Sequence, residues 1–283
     1  MLDEPLSLSH KSLLYEPLRT SGTLISEYCF ANLYLFRRTH DYRVCTGDEP
    51  FIKGRAYAGF TYAMPVRDIR LIDKRLLYQM INTCGNLFPI PEEWLPVFAG
   101  SGYTIDHNDD DSDYLHLLSK LSTYSGKKLH SKKNLLNQFL DTYTAEALPL
   151  TDDRLDDARS VLEAWSHTVD EPQEKTDYGA CSEALSLYEE LTLCGGIYYV
   201  EGKPAGFVMG EELDGSTFVI HFAKADRTFK GIYQYMYRHF AQIMPSKYAA
   251  FNFEQDLGLD SLRQAKASYQ PDKMVVKYRV GRT

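Results

Sequence analysis

The segment from Phe251 to Pro271 constrains the fold more than any other part of this sequence. A short apolar alternation ends at Glu254, Gly258 permits a sharp turn, and a helical pattern then runs to Pro271. This order predicts a strand, a polar turn and a basic helix. Because ligands bind at the carboxyl ends of strands in open α/β sheets, we expect the carboxylate of Glu254 to lie in a binding cleft.

Composition narrows the class of protein. The chain has 283 residues, of which 44% are hydrophobic and 25% charged, which is typical of a folded protein with two domains or one large one. The formal net charge of −8 gives no overall attraction to nucleic acid, so we predict no DNA partner, and any polyanion must be met by a local basic patch. The five cysteines show no paired spacing, which argues against a disulfide framework and a zinc site and favours a reducing compartment.

Targeting and membrane signals are not found in the sequence. The opening residues, Met-Leu-Asp-Glu-Pro, carry neither a basic region nor an apolar run. No uncharged apolar run approaches the roughly 18 residues that span a bilayer. We therefore expect no transmembrane segment and a cytoplasmic location.

Hydrophobic periodicity indicates two patterned regions, which we assign as domains 1–147 and 148–283. The second region reads helix, helix, three antiparallel strands, helix, strand, helix, strand, with hairpin turns at Gly202 and at Asp214-Gly215. That order matches the GCN5-related acyltransferase fold. In the first region the pattern predicts helices near 10–28, 73–84, 91–99, 113–123 and 131–143, and strands near 30–37, 42–46 and 55–64.

Several motifs, in the same order along the chain, resemble those of a known family. They are Ser26–Phe30, Gly126–Asn134, Leu193–Gly196, Ile220–Ala225, Gly231–Gln234 and the opening segment 251–271. The chain is similar to the phosphatidylglycerol lysyltransferase C-terminal domain, in a stand-alone form. The resemblance implies an α+β fold of two tandem GCN5-related N-acyltransferase-like domains, with mixed, mostly antiparallel sheets flanked by helices.

The resemblance also implies an activity. The best-known members of this family move an aminoacyl group from aminoacyl-tRNA onto a lipid head group, and they carry a multi-helix membrane region for which this sequence has no counterpart. We therefore expect a small-molecule or peptide acceptor, with the active site in the second domain.

Glu254 is the first choice for a general base, because a carboxylate at a strand end is suited to take a proton from an amine. The alternative is a structural pair with Arg263 or Lys266 of the following helix. Asn252 shares the face of Glu254 by period-two alternation, and Asp256 is expected to orient that helix or cap its start.

The preceding strand and helix supply further candidates. His221 is either a buried, hydrogen-bonded histidine or a proton shuttle. Lys224 points to the opposite face and is expected to approach the start of the next helix, where it would meet a phosphate or a carboxylate. Tyr233 and Tyr269 are either general acids or packed aromatic residues.

Two positions are candidates for binding the donor. Acetyltransferases hold the pyrophosphate of coenzyme A at the junction that Arg227 and Gly231 occupy here, but this loop has one glycine and the bulky Phe229. Gln234 follows in the same motif. The densest basic cluster includes Lys128, Lys132 and Lys133, and it is either a solvated loop or a contact to phosphate or an RNA backbone.

Three functions remain open at this point. The first is an acyl-group transferase that moves an aminoacyl group from aminoacyl-tRNA to an amine or hydroxyl. The second is an acyl-CoA-dependent N-acyltransferase, and the third is a non-catalytic protein that binds a ligand or peptide on the same fold. No metal site is predicted for any of them.

Overall fold

Two seven-stranded mixed sheets organise the chain in the computed structural model, which describes residues 2–169 and 171–282. Each sheet is the centre of one compact unit. The first unit contains the residues up to Asp113, then Gln255–Leu259, and the residues from Met274 onward; the second contains Tyr114–Glu254 and Asp260–Lys273. The chain therefore passes from one unit to the other four times, and the boundary expected between residues 147 and 148 falls inside the second unit.

The first unit begins with short strands and three helices. In chain order these are β1 (Leu2–Pro5), α1 (Lys11–Arg19), α2 (Phe30–Leu35), β2 (Arg43–Thr46), β3 (Phe51–Arg55), β4 (Thr61–Pro65), α3 (Lys74–Cys84), β5 (Asn86–Ile90) and β6 (Thr104–His107). Strands β1 to β4 pair antiparallel in sequence order, and β5 pairs parallel to β4 after the crossover through α3.

The second unit repeats this plan with longer strands. Its elements are β7 (Asp113–Leu117), α4 (Leu118–Leu121), α5 (His130–Thr142), β8 (Ala145–Pro149), α6 (Leu155–Ser166), α7 (Tyr178–Ser186), β9 (Cys194–Val200), β10 (Lys203–Glu212), β11 (Thr217–Ala225), α8 (Ile232–Ile243), β12 (Ala250–Asn252), α9 (Asp260–Ala267) and the first residue of β13 (Lys273–Val275). Strands β8 to β11 pair antiparallel, and β12 pairs parallel to β11.

Each sheet is completed by a strand that is distant in sequence. The last strand, β14 (Tyr278–Gly281), lies between β5 and β6 in the first sheet. In the second sheet β7 pairs antiparallel with β12, and β13 follows at the edge. The predicted α+β class, with mixed sheets flanked by helices, is confirmed.

Two predicted elements have the wrong secondary structure, and the strand expected near 55–64 is divided by the turn between β3 and β4. The strand expected near 30–37 is the helix α2, in which every residue is buried. A short apolar run without clear alternation does not separate strand from helix, and here it is a buried helix. The helix expected near 113–123 begins as strand β7, because Leu115, His116 and Leu117 pair with β12.

The core of the second unit explains the spacing within α8. Ile232, Met236 and Phe240 are buried against the sheet, as their helical spacing predicts, whereas Ile243 at the helix end is half exposed. Phe240 stacks on Phe251 of β12 with ring centroids 5.5 Å apart. This packing fixes β12 and the residues that follow it, which carry the site.

Candidate active site

The site lies where strands β11 and β12 stop pairing, and we call the junction of these two strands the parallel seam. Backbone pairing runs from Thr217 with Ala250 to Val219 with Asn252. His221 and Glu254 each stand two residues beyond the last pair, and their side chains meet there: the Nδ1 of His221 lies 2.8 Å from Oε1 of Glu254. Where the backbone pairing ends, the two strands are therefore still joined by the contact between these two side chains.

The backbone at Glu254 is held in an uncommon conformation. Its φ is +57°, in the left-handed region that costs a residue with a side chain roughly 1–3 kcal/mol. The Glu254 N–H donates to the Oδ1 of Asn252 at 2.6 Å, and Asn252 is fully buried. Asn252 therefore stabilises the turn that brings Glu254 out of the strand.

His221 is held by a second carboxylate. Its Nε2 lies 3.1 Å from Oε1 of Glu211, a residue of β10. Burial alone would lower the pKa of His221, but the hydrogen bonds to Glu211 and Glu254 outweigh burial and raise it to about 9. His221 is therefore an imidazolium at neutral pH and donates from both ring nitrogens.

The three side chains differ in their access to solvent. The side chain of His221 is 0% exposed and that of Glu211 is 3% exposed, whereas that of Glu254 is 15% exposed. Of the two alternatives for His221, the buried and hydrogen-bonded state is the one observed. Glu254 is the member of the set that a substrate can reach.

Glu211 was missed by the sequence analysis. It stands next to Glu212 near the end of a hairpin strand, where acidic residues are common on the surface. The available signal was its position in a strand whose other residues from Ala205 to Met209 are all buried. A carboxylate in such a strand needs a buried partner.

Lys224 meets a carboxylate, but before α7 and not at the start of α8, where the sequence analysis expected its partner. Its Nζ lies 2.6 and 2.8 Å from the two carboxylate oxygens of Asp177, which directly precedes α7. The same ammonium lies over the ring of Trp165, 3.6 Å from the centroid. The charge of Lys224 is thus balanced inside the unit. Burial raises the pKa of nearby Tyr233 to about 12, so its hydroxyl keeps its proton.

Tyr269 lies in an aromatic cluster of the second unit. Its hydroxyl accepts a hydrogen bond from Nε2 of Gln234 at 2.7 Å, and burial raises its pKa well above the usual range. The Nζ of Lys132 lies 4.1 Å from the centroid of the Tyr269 ring. Burial lowers the pKa of Lys132. The basic cluster therefore packs against the aromatic cluster through Lys132.

Several backbone amides of the loop before α8 donate hydrogen bonds to other atoms of the same loop. The amide of Thr228 donates to the side chain of Asp226, that of Phe229 to the carbonyl of Asp226, and that of Ile232 to the carbonyl of Phe229. Gly231 has a φ of +96°, and a Cβ there would overlap the carbonyl oxygen of Leu135 in α5. Gly231 is thus explained by the close approach of α5.

The remaining predicted site residues differ in their exposure to solvent and in the unit to which they belong. Lys128, Lys133, Arg227 and Arg263 are exposed, and Lys266 is half-buried on α9. Asp256 belongs to the first unit, where its Oδ1 accepts from the amide of Gly258 at 2.9 Å, so it shapes the turn before α9.

Within residues 2–169 and 171–282, no three histidine, cysteine or acidic side chains gather in a way that could hold a metal ion. No helix within them has the length and apolar character to cross a membrane.

Comparison with solved structures finds the same fold elsewhere. A conserved protein of unknown function from Bacteroides thetaiotaomicron VPI-5482 is 27% identical, with a TM-score of 0.86 over 99% of both chains. The structure of L-PGS from Bacillus licheniformis is 16% identical, with a TM-score of 0.61 over 99% of this chain and 92% of that one. Both neighbours share the mixed fold of helices and sheets described above.

Sequence comparison leads to a family. An uncharacterised protein of Mycoplasmoides gallisepticum is 26% identical over 179 residues, which are 61% of this chain and 57% of that relative, so the match spans little more than half of its length. The model of the family described as phosphatidylglycerol lysyltransferase, C-terminal, matches residues 19–281. The chain therefore belongs to the family of phosphatidylglycerol lysyltransferase C-terminal domains.

Proposed function

We propose that this chain is an acyl-group transferase that moves an aminoacyl group from aminoacyl-tRNA to an amine or hydroxyl acceptor. The observation that carries the proposal is the Glu254 carboxylate, which reaches solvent at the open end of the parallel seam while buried His221 holds one of its oxygens. A carboxylate fixed in this way is suited to receive the proton of an attacking acceptor.

The chemistry needs no covalent enzyme intermediate. The acceptor nitrogen or oxygen attacks the ester carbonyl of the donor and gives its proton to Glu254. The ester C–O bond breaks as the new bond to the acceptor forms, and the ribose hydroxyl of the tRNA leaves with that proton. The protein supplies proximity and a proton acceptor, and the latter contributes roughly 10²–10⁴-fold.

The start of α5 supports a donor that carries phosphates. Lys127, Lys128, Lys132 and Lys133 form a basic segment around this helix start, which has no side-chain cap and no acidic residue in its first turn. Since a helix N-terminus is already positive, cations placed there repel it unless an anion is bound. A tRNA backbone would supply that anion.

The loop before α8 favours aminoacyl-tRNA over acyl-CoA as the donor. Acetyltransferases use free amides at this junction to bind a pyrophosphate, but the amides of Thr228, Phe229 and Ile232 already donate within the protein. Coenzyme A would have to break these hydrogen bonds.

The test is a transfer assay with labelled aminoacyl-tRNA. The family description makes lysyl-tRNA the first donor, and the acceptors are free amines, short peptides and phosphatidylglycerol vesicles. We expect loss of label from tRNA together with a labelled product, and a reduction of at least 100-fold in the variant Glu254→Gln. The matched control is Glu212→Gln, which changes a neighbouring glutamate that pairs with Lys247 outside the site.

Calorimetry with coenzyme A and acetyl-CoA tests whether the donor is acyl-CoA. No heat at millimolar ligand supports the tRNA donor, whereas saturable micromolar binding makes the chain an acyl-CoA enzyme. Full activity in Glu254→Gln would overturn the role of that residue. If neither donor is consumed with any acceptor, the chain is a binding protein on this fold.

A further inference from the structure

Glu211 is a buried acid that the transfer reaction proposed above does not use. It lies in β10, its side chain is 3% exposed, and its Oε1 is 3.1 Å from the Nε2 of His221. Glu254 lies at the other ring nitrogen, at 2.8 Å. The imidazole thus joins a carboxylate that solvent reaches to one that solvent hardly reaches.

A bulge in β11 lies at His221 itself and brings it within reach of Glu211. Met209 pairs with Phe222 and Gly210 with Ile220, so His221 is the extra residue between them, and Glu211 pairs with Val219. A Cβ at Gly210 would overlap the Val219 carbonyl, so glycine permits the close approach of the two strands. His221 is two residues beyond Val219 and shares its face of the sheet, within diagonal reach of Glu211.

We propose that Glu211 is a positioning residue which, acting through His221, fixes the orientation of Glu254 and keeps a positive charge beside it. This inference rests on the proposed transfer function and goes beyond it, because Glu211 lies beneath the site and reaches the substrate only through two other side chains.

The physical reason is the charge on the imidazole. The titratable groups that face His221 are Glu211 from β10 and Glu254 after β12. Without Glu211, burial favours the neutral ring. A neutral ring can still donate to the Glu254 carboxylate, but it lacks the attraction between opposite charges by which an imidazolium holds that carboxylate.

The experiment compares Glu211→Gln with the matched control Glu212→Gln. The ionisation of His221 is followed by NMR of the imidazole, and kcat and KM are measured from pH 6 to 10 in the transfer assay. In Glu211→Gln we expect proton binding by His221 to weaken at least tenfold. We also expect kcat to fall about 10–100-fold with KM for the donor unchanged, and the loss of activity at alkaline pH to begin at lower pH. The control changes neither titration nor rate.

A second variant distinguishes a loss of charge at position 211 from a disturbance of the strand. Glu211→Asp keeps the charge but shortens the side chain, so it is expected to retain a charged His221 at neutral pH and to lose kcat because Glu254 is less well held. A wild-type His221 that titrates near its ordinary value overturns the inference, and so does an unchanged pH–rate profile in Glu211→Gln. The titration needs no turnover, so a chain that transfers nothing contradicts the proposed function alone, and a shifted His221 titration still supports the coupling to Glu211.

Discussion

The two units share a strand plan but differ at the junction of their parallel strands. In the first unit β4 has five residues, pairs with β5 at Ala63 and Leu87, and ends at Pro65. In the second unit β11 has nine residues and continues past its last pair with β12. Only the longer strand places a histidine at the opening, so the difference locates the proposed chemistry in the second unit.

The buried charges of the two units differ in the same way. In the first unit the Nζ of Lys277 lies 2.7 Å from Oε2 of Glu27 and 2.7 Å from Oδ1 of Asp113, and it also donates to Gln255 at 2.7 Å. Burial alone would lower the pKa of Lys277, but the two carboxylates raise it well above its usual range. The side chains of Lys277 and Asp113 are fully buried and that of Glu27 is 10% exposed, whereas Glu254 of the His221 cluster is 15% exposed. We infer that the first stabilises the fold and the second serves function.

Removing the cation of the Lys277 cluster is expected to have the largest effect. Lys277→Met leaves two buried carboxylates without a counter-charge, which costs roughly 3–5 kcal/mol of unfolding free energy. Urea denaturation measures the loss, with the exposed Lys203→Met as the control. Adding Glu27→Gln removes one of the uncompensated charges and should restore part of the stability. If Lys277→Met is as stable as the control, the two clusters do not differ as argued.

The His221 cluster has a pH dependence with a definite sign. The folded pKa of His221 is about 9 against an ordinary value of 6.5, so its contribution to stability is complete below pH 6.5 and is lost as pH rises to 9. The shift corresponds to at most about 3 kcal/mol. Urea unfolding at pH 6, 7.5 and 9 should show this fall in the wild type, and it should be absent in His221→Gln. His167→Gln, at an exposed histidine, should behave as the wild type does; equal slopes in all three proteins would show that His221 is neutral.

The sequence predicted local structure better than distant pairing. The three-strand meander was predicted because its alternation is interrupted by clear turns at Gly202 and at Asp214-Gly215, and it is observed as β9 to β11. Strands β7 and β14 are completed by partners more than 100 residues away. Nothing in a single sequence specifies such partners, so β7 was assigned to a helix.

The site shows the same division. Glu254 and Asn252 were identified because they stand at the end of a strand, and His221 because it is a histidine in the middle of one. The structure brings the three together. Glu211 and Lys277 were not identified, because a buried ion pair is recognised only when both partners are known. The roles of all these residues in catalysis stay predictions.

A substitution at Gly231 tests whether that residue serves packing or ligand binding. Alanine there must adopt a positive φ and press against Leu135 of α5, which should cost roughly 1–3 kcal/mol of stability. Gly215→Ala is the control, since its added methyl group meets no atom within 4 Å. Thermal unfolding measures both variants. A Gly231→Ala protein of normal stability that has lost affinity for coenzyme A would instead assign the residue to a pyrophosphate site.

The smallest effect is expected beside the end of β4 in the first unit, where Glu49, which precedes β3, accepts two hydrogen bonds from the half-exposed Arg67. Glu49→Gln should cost about 1 kcal/mol, because one partner of the pair remains in contact with water. Transfer activity and its pH profile should be unchanged, since this region carries no counterpart of His221. A fall in kcat comparable to that of Glu211→Gln would mean that both units take part in the reaction, and the functional difference between them would then be lost.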